Sequence, residues 1–208
     1  KPARTPEDIA LLMYKSGSTG TPKGVMHSFE RATRASEGIM AYEYSQVDEN
    51  FESRVLSYLP LAHIFERAWV ECAGYVHGKG HIFFAESLDT FLQDLQRARP
   101  TLFISVPRLW LKFQQGVFAK MPAKKLNLLL SIPIVRGLIR KKILTALGLD
   151  QCTYAVGGAA PMPPELLKWY ERLGLPIIEG YGMTENCAVS HATLPGVQRP
   201  GTVGPVYD

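Results

Sequence analysis

Apolar positions fall in short runs divided by polar, glycine-marked or proline-marked breaks. The first run, Ile9-Ala10-Leu11-Leu12-Met13-Tyr14, ends at a Ser/Gly/Thr cluster and predicts a buried strand feeding a loop. Ser28 is suited to cap a helix running toward Tyr42. Residues 54–59 predict a strand stopped by Pro60, and 65–76 a helix that Gly78 and Gly80 end. Further strands are expected at 81–84, 102–106, 152–156 and 175–178. Helices are expected at 90–97, barred from extension by Pro100, after Pro107, and from Pro164 to Leu173, where Gly174 closes the segment.

Strands alternate with helices through most of the chain. This predicts an α/β fold, a layered and mostly parallel sheet flanked by helices. In such sheets ligands bind beyond the carboxyl ends of strands. Three small-residue loops follow predicted strands: 16–24, 156–161 and 179–185. The 208 residues, 46% hydrophobic and 20% charged, suit one large domain or a piece of a larger one. No signal peptide and no apolar run of about 18 residues is expected to direct the chain into a bilayer.

Charge is uneven. Between Asp94 and Asp150 there are eleven Lys or Arg residues and no acid; the other residues hold 12 basic and 19 acidic side chains. Such a field attracts an anionic partner: a nucleotide tail, an acidic lipid surface or nucleic acid. Residues 124–142 mix apolar and basic side chains, which suits either an amphipathic helix pair packed on the sheet or contact with anionic lipid. Cys72, Cys152 and Cys187 show no C-x-x-C spacing, and the five histidines form no H-x-x-x-H helix pair, so neither a disulfide framework nor a zinc site is expected. A reducing cytosol fits that cysteine usage.

Ser16-Gly17-Ser18-Thr19-Gly20-Thr21-Pro22-Lys23-Gly24 has the chemistry of a polyphosphate grip. Glycine lets backbone N–H groups converge on oxygen, hydroxyls add donors, and Lys23 adds a point charge. It is not a P-loop, because Gly24 stands where Ser or Thr would meet magnesium. A polar linker with a chance lysine is the alternative. In Glu179-Gly180-Tyr181-Gly182-Met183-Thr184-Glu185, glycines flank a ring that can stack on a purine. Thr184 can donate to phosphate and Glu185 can hold Mg²⁺ through oxygen; a polar turn with a capping threonine is the other reading. Val156-Gly157-Gly158-Ala159-Ala160-Pro161 offers small residues against which a flat ring can lie, or only a tight connection.

Together these segments resemble the AMP-forming adenylate synthetases, the family of acyl-CoA synthetases, luciferases and peptide-synthetase adenylation domains. Tyr14 to Val25 resembles the family's signature loop, with Lys15 where the usual loop has Thr. Residues 181–185 match its Y-G-x-T-E motif at every fixed position. The resemblance implies that Ser16, Gly17, Ser18, Thr19, Gly20, Thr21, Lys23, Gly158, Ala159, Ala160, Glu179, Gly180, Tyr181, Gly182 and Thr184 bind ATP. It implies that Glu185 coordinates Mg²⁺, and that Lys23, Thr184 and Glu185 are the catalytic residues.

Leu59-Pro60-Leu61-Ala62-His63-Ile64-Phe65-Glu66-Arg67 is similar to the long-chain fatty acyl-CoA synthetases, as is Ser105-Val106-Pro107-Arg108-Leu109-Trp110. That likeness implies an acyl site at His63 and Gly180. A helix-start histidine that only satisfies a backbone carbonyl is the plainer reading of His63.

The resemblance further implies two half-reactions: a fatty acid carboxylate attacks ATP to give acyl-AMP and pyrophosphate, and coenzyme A then displaces AMP. The expected partners are small molecules (a long-chain fatty acid, ATP and coenzyme A), not nucleic acid. The expected location is the cytoplasm, with peripheral membrane contact through 124–142. Residues 1–208 are expected to be an incomplete N-terminal adenylation (AMP-binding) domain. The family's ribose-binding aspartate motif and lysine-bearing C-terminal lid domain are absent from it, and it is expected to be inactive alone. An aryl or amino-acid adenylating enzyme, or a non-catalytic nucleotide- or lipid-binding module, remain the competing readings.

Overall fold

The structure, a computed structural model, describes residues 3–15, 20–44, 51–193, 199 and 201–206. Strand β1 (Ile9–Lys15) pairs antiparallel with β2 (Lys23–Ser28), in a register that sets Lys15 opposite Lys23. The expected buried strand is therefore one arm of a hairpin. Only Met13 is buried along β1, while Ile9, Leu12 and Tyr14 stay more than half exposed. The hairpin uses one face against helix α1 (Phe29–Tyr44), so alternate apolar side chains of the same run point away from that contact. Ser28 Oγ accepts the Arg31 N–H at 3.3 Å, a cap as expected at the start of α1.

β3 (Arg54–Ser57) and β4 (His81–Phe84) pair in parallel. Between them lie a π-helical segment, Glu66–Cys72, and α2 (Ala73–His77), which Gly78 ends in the left-handed conformation at φ 65°. The helix expected over 65–76 exists, but its first two turns are widened. α3 (Phe91–Ala98) leads to β5 (Leu102–Ser105), and Pro107 opens α4 (Pro107–Lys120). The segment 124–142 folds as the helix pair α5 (Ala123–Ser131) and α6 (Pro133–Leu147). β6 (Tyr154–Gly157), α7 (Pro164–Leu173), β7 (Ile177–Tyr181) and β8 (His191–Ala192) complete the order.

β5, β6 and β7 are parallel neighbours, and β8 joins β7 antiparallel. This sheet separates two apolar cores, as the strict alternation of its strands requires. Phe103, Ala155 and Ile177 face a core built on Trp110, Phe113, Leu126, Tyr170 and Leu173. Leu102, Ile104, Val156 and Ile178 face the other, with Ile39, Trp69 and Val70. The first core is aromatic: Trp110 meets Phe103 at 5.2 Å and Tyr170 at 4.9 Å, both edge to face. The α/β expectation holds, with parallel ladders at the centre and antiparallel ones at β1–β2 and β7–β8.

Candidate active site

The strands that carry the site end together. β6 ends at Gly157, and Gly158 then runs so close to β7 that a Cβ there would lie 3.2 Å from the Gly180 carbonyl oxygen. Ala159 follows with φ 66°, a left-handed turn that costs a non-glycine residue about 1 kcal/mol or more. This bends the loop outward and leaves Ala159 and Ala160 exposed. The segment expected as a loop from 179 is strand through Tyr181, because β8 pairs Gly180 with Ala192 and Tyr181 with His191. Tyr181 ends that strand 44% exposed, with its ring centroid 6.1 Å from that of His191.

Beyond the strand, Met183 leads into a short 3₁₀ turn, Thr184–Asn186. Asn186 Oδ1 accepts the Met183 N–H at 2.7 Å, and Ala188 N–H returns to the Met183 carbonyl at 2.9 Å. Cys187 and Ala188 hold positive φ values of 56° and 57°. Gly182 lies against this return: a Cβ there would sit 2.3 Å from the Ala188 carbonyl carbon. Close approach of backbone to backbone is thus the reason for glycine at 182.

The hairpin docks on the same turn through His27, which is buried on β2. His27 Nε2 lies 2.7 Å from the Thr184 carbonyl oxygen and Nδ1 lies 3.2 Å from Cys187 Sγ. A carbonyl can only accept, so Nε2 carries the proton and Nδ1 accepts the thiol. Burial pushes the Cys187 thiol up to about 11, which keeps it protonated as that donor. At the hairpin's end Lys15 forms an ion pair with Glu185. The Lys15 ammonium beside it holds the Glu185 carboxyl below the usual carboxylate range. Lys23, across the register from Lys15, is exposed.

His63, Phe65, Trp69, Ala159, Gly180, Gly182, Ala188 and His191 line one small cavity of about 40 Å³ beside these elements. His63 also accepts the Phe65 N–H at Nδ1, 3.3 Å away, so its ring meets a backbone N–H at the helix start rather than the expected carbonyl, and it lines the cavity as well. A larger cavity of about 600 Å³ lies between α3, α4 and α6 and shares no lining residue with this site.

Of the residues singled out by sequence, the structure gathers Lys23, Gly158, Ala159, Gly180, Tyr181, Gly182, Thr184, Glu185 and His63 on adjoining strand ends, turn and cavity. Gly20 and Thr21 sit exposed at the hairpin's approach to Lys23, and Ala160 is at the outer edge. Ser16, Gly17, Ser18 and Thr19 lie outside the described residues. Glu179 is different. Its side chain is buried, accepts the Met162 N–H at 3.4 Å through Oε1, and leaves Oε2 without a partner. Burial pushes its carboxyl up.

Sequence reasoning gave no site role to His27, Trp69 or Ala188, and none to Glu66 beyond its place in the 59–67 segment. Glu66 is 2% exposed, and burial pushes its carboxyl up while Ser57 and the backbone of Leu59 and Tyr58 pull it down. An acid inside the apolar stretch that begins at Ile64 was the available signal.

The Lys23 hairpin, the Thr184–Glu185 turn, the Tyr181 ring and the small His63 cavity thus adjoin one another. Comparisons with known proteins give the family. The chain is 31% identical to the long-chain-fatty-acid–CoA ligase ACSBG2 of Gallus gallus, over 97% of this chain and 30% of that protein. Its fold matches the anthranilate CoA ligase AuaEII in complex with anthranoyl-AMP, with a TM-score of 0.68 and 24% identity over 97% of this chain and 34% of that one. It also matches ATP-bound MatB from Rhodopseudomonas palustris, with a TM-score of 0.69 and 23% identity over 99% of this chain and 35% of that one. The chain spans about a third of the length of such relatives. Residues 1–208 match the AMP-binding enzyme family from end to end, and the chain belongs to that family.

Proposed function

We propose that residues 1–208 form part of the nucleotide-holding domain of an AMP-forming acid–thiol ligase that activates long-chain fatty acids and passes them to coenzyme A. The carrying observation is the docking of the Lys23 hairpin onto the Thr184–Glu185 turn through buried His27, with the His63–Gly180 cavity alongside. The long-chain assignment draws on the chicken ligase and on the segment around His63.

In the first half-reaction a carboxylate oxygen attacks the α-phosphorus of ATP. A P–O bond forms to the acyl group, and the bond to pyrophosphate breaks. This chemistry is mostly positioning and charge neutralisation. Lys23 and the backbone N–H groups of the glycine-rich loop around it would hold the departing pyrophosphate. Thr184 donates to the α-phosphate, Tyr181 stacks on adenine, and the acyl chain enters past His63 and Gly180. In the second half-reaction the thiolate of coenzyme A attacks the acyl carbon and AMP departs.

Glu185 suits a magnesium ion that arrives with ATP. Mg²⁺ takes oxygen ligands, commonly one or two carboxylates plus substrate phosphates. Among the described residues no group of three or more His, Cys, Asp or Glu could hold a metal without such help. When bound, the ion would neutralise phosphate charge.

Fatty-acid-dependent ATP–pyrophosphate exchange in the full-length protein, scanned over acyl length, tests this. Exchange is expected with long-chain acids. A preference for aryl acids would favour the second reading, which the anthranilate ligase's fold supports. No exchange with any acid would sink the enzyme assignment.

The proposed membrane contact draws on the outer face of α5 and α6. Leu126, Leu130, Ile143 and Leu147 bind the pair to the core. Leu128, Ile134 and Leu138 remain exposed among Lys124, Lys125, Arg136 and Lys141. No described helix is long and apolar enough to cross a membrane. The protein is expected to sediment with phosphatidylserine-containing vesicles at low salt and to be released at high salt, since each basic residue near such a surface contributes about 1 kcal/mol. Glutamate at both 134 and 138 should abolish sedimentation; retention would place the contact elsewhere.

A further inference from the structure

Lys15 stands where the loops that this sequence resembles carry a hydroxyl. The structure puts its ammonium on Glu185 Oε1, 170 residues away in sequence. The same register sets Lys15 opposite Lys23, and like charges facing each other across two strands repel. The carboxylate of Glu185 therefore offsets a clustered positive charge at the mouth of the phosphate loop.

The pair is not needed to hold the two elements together. Buried His27 already joins β2 to the Thr184 carbonyl and to Cys187. Both members of the pair are more than a third exposed, a setting in which an ion pair is weak and readily exchanged. Geometry thus fixes the position of the Glu185 backbone, while the partner of its carboxylate is free to change.

We propose that Lys15 is an exchangeable internal cation: it holds the Glu185 carboxylate while the site lacks a divalent ion, and it must yield before that ion binds. Incoming phosphate oxygens draw the ammonium off Glu185 toward Lys23, which opens the carboxylate to the metal. Nucleotide and metal binding are coupled positively as a result, and a divalent ion alone binds poorly. Lys15 is a positioning residue that acts through Glu185. This rests on the reading above that Glu185 takes the magnesium of MgATP.

The test uses Mn²⁺ as the probe and follows free Mn²⁺ by electron paramagnetic resonance. The full-length protein is titrated with and without α,β-methylene-ATP. Removing a cation from beside the metal position by Lys15→Thr should tighten Mn²⁺ binding without nucleotide by roughly tenfold. It should also shrink the factor by which nucleotide tightens Mn²⁺. Glu185→Gln should weaken Mn²⁺ binding with nucleotide present, and Lys15→Thr/Glu185→Gln should match Glu185→Gln alone. If Glu185→Gln leaves Mn²⁺ affinity unchanged, the ligand assignment of Glu185 fails, and the proposal with it. If Glu185→Gln weakens Mn²⁺ while Lys15→Thr leaves nucleotide-free affinity unchanged or lower, the ligand assignment stands and the exchange proposal is overturned. Circular dichroism of each variant separates these outcomes from unfolding.

Discussion

Replacing Gly182 with Ala is expected to lower fatty-acid-dependent pyrophosphate exchange by about 10²-fold or more while the secondary structure stays intact. The added Cβ would stand 2.3 Å from the Ala188 carbonyl carbon and 2.4 Å from its Cα. One side must move. Ala188 is tied by its N–H to the Met183 carbonyl at 2.9 Å and by its carbonyl to Trp69 Nε1 at 3.2 Å. Residue 182 and the turn after it are therefore the side that shifts, and that turn carries Thr184 and Glu185. Under the proposed function these groups meet the phosphates, and displacing them by about 1 Å is enough for such a loss. Exchange assays beside circular dichroism decide it. Activity within about threefold of the parent would mean the turn does not position the reacting groups.

Much of this fold is legible along the chain because its strands are short, apolar and punctuated. The strand at 81–84 and the helix Pro164–Leu173 stand where the pattern places them, since Pro164 and Gly174 act locally. The run at 9–14 misleads because an apolar string does not say how many of its faces will be covered. Its partner strand, 23–28, holds glycine, lysine, histidine and serine, and shows no strand pattern of its own. The widening of Glu66–Cys72 into a π-helix was equally invisible, because an i→i+5 bond leaves little trace in a 3.6-residue periodicity.

The candidate site was legible where its chemistry is local in sequence. Tyr181, Thr184 and Glu185 announce themselves within five residues, and Lys23 within its glycine-rich stretch. The contacts that join those stretches are long in sequence and cannot be read from it. His27 reaches the Thr184 carbonyl across 157 residues and Cys187 across 160. Along the chain Lys15 is only a lysine where the resembling loops have Thr; the structure adds that it pairs with Glu185. Gly182 was legible as a glycine in a turn, but its crowding against Ala188 depends on a backbone reversal that no local pattern marks.

Trp110→Ala is expected to cost about 3–5 kcal/mol, a large share of the roughly 5–15 kcal/mol that holds a typical domain together. Trp110 has no exposed surface, and its ring meets Phe103, Phe113 and Tyr170 edge to face or nearly so. Removing it opens a void bounded by residues of α4, α7 and β5 that are themselves anchored. Tyr170 donates its hydroxyl proton to the Trp110 carbonyl at 2.8 Å, so helix α7 cannot simply close onto the gap. The indole N–H also reaches the Val156 carbonyl at 3.3 Å, on the strand that leads to Gly157 and Gly158. Loss of the ring thus loosens the strand under the loop at 158–160 as well as the core. The melting temperature should fall by about 6–20 °C for a unit of this size. Trp110→Phe keeps the aromatic packing but not the N–H, and should cost about 1–2 kcal/mol. The ordering of the two variants carries the argument: equal destabilisation by Phe and Ala would assign the effect to the indole hydrogen bond alone. A fall below about 3 °C for the alanine variant would remove Trp110 from the centre of the core.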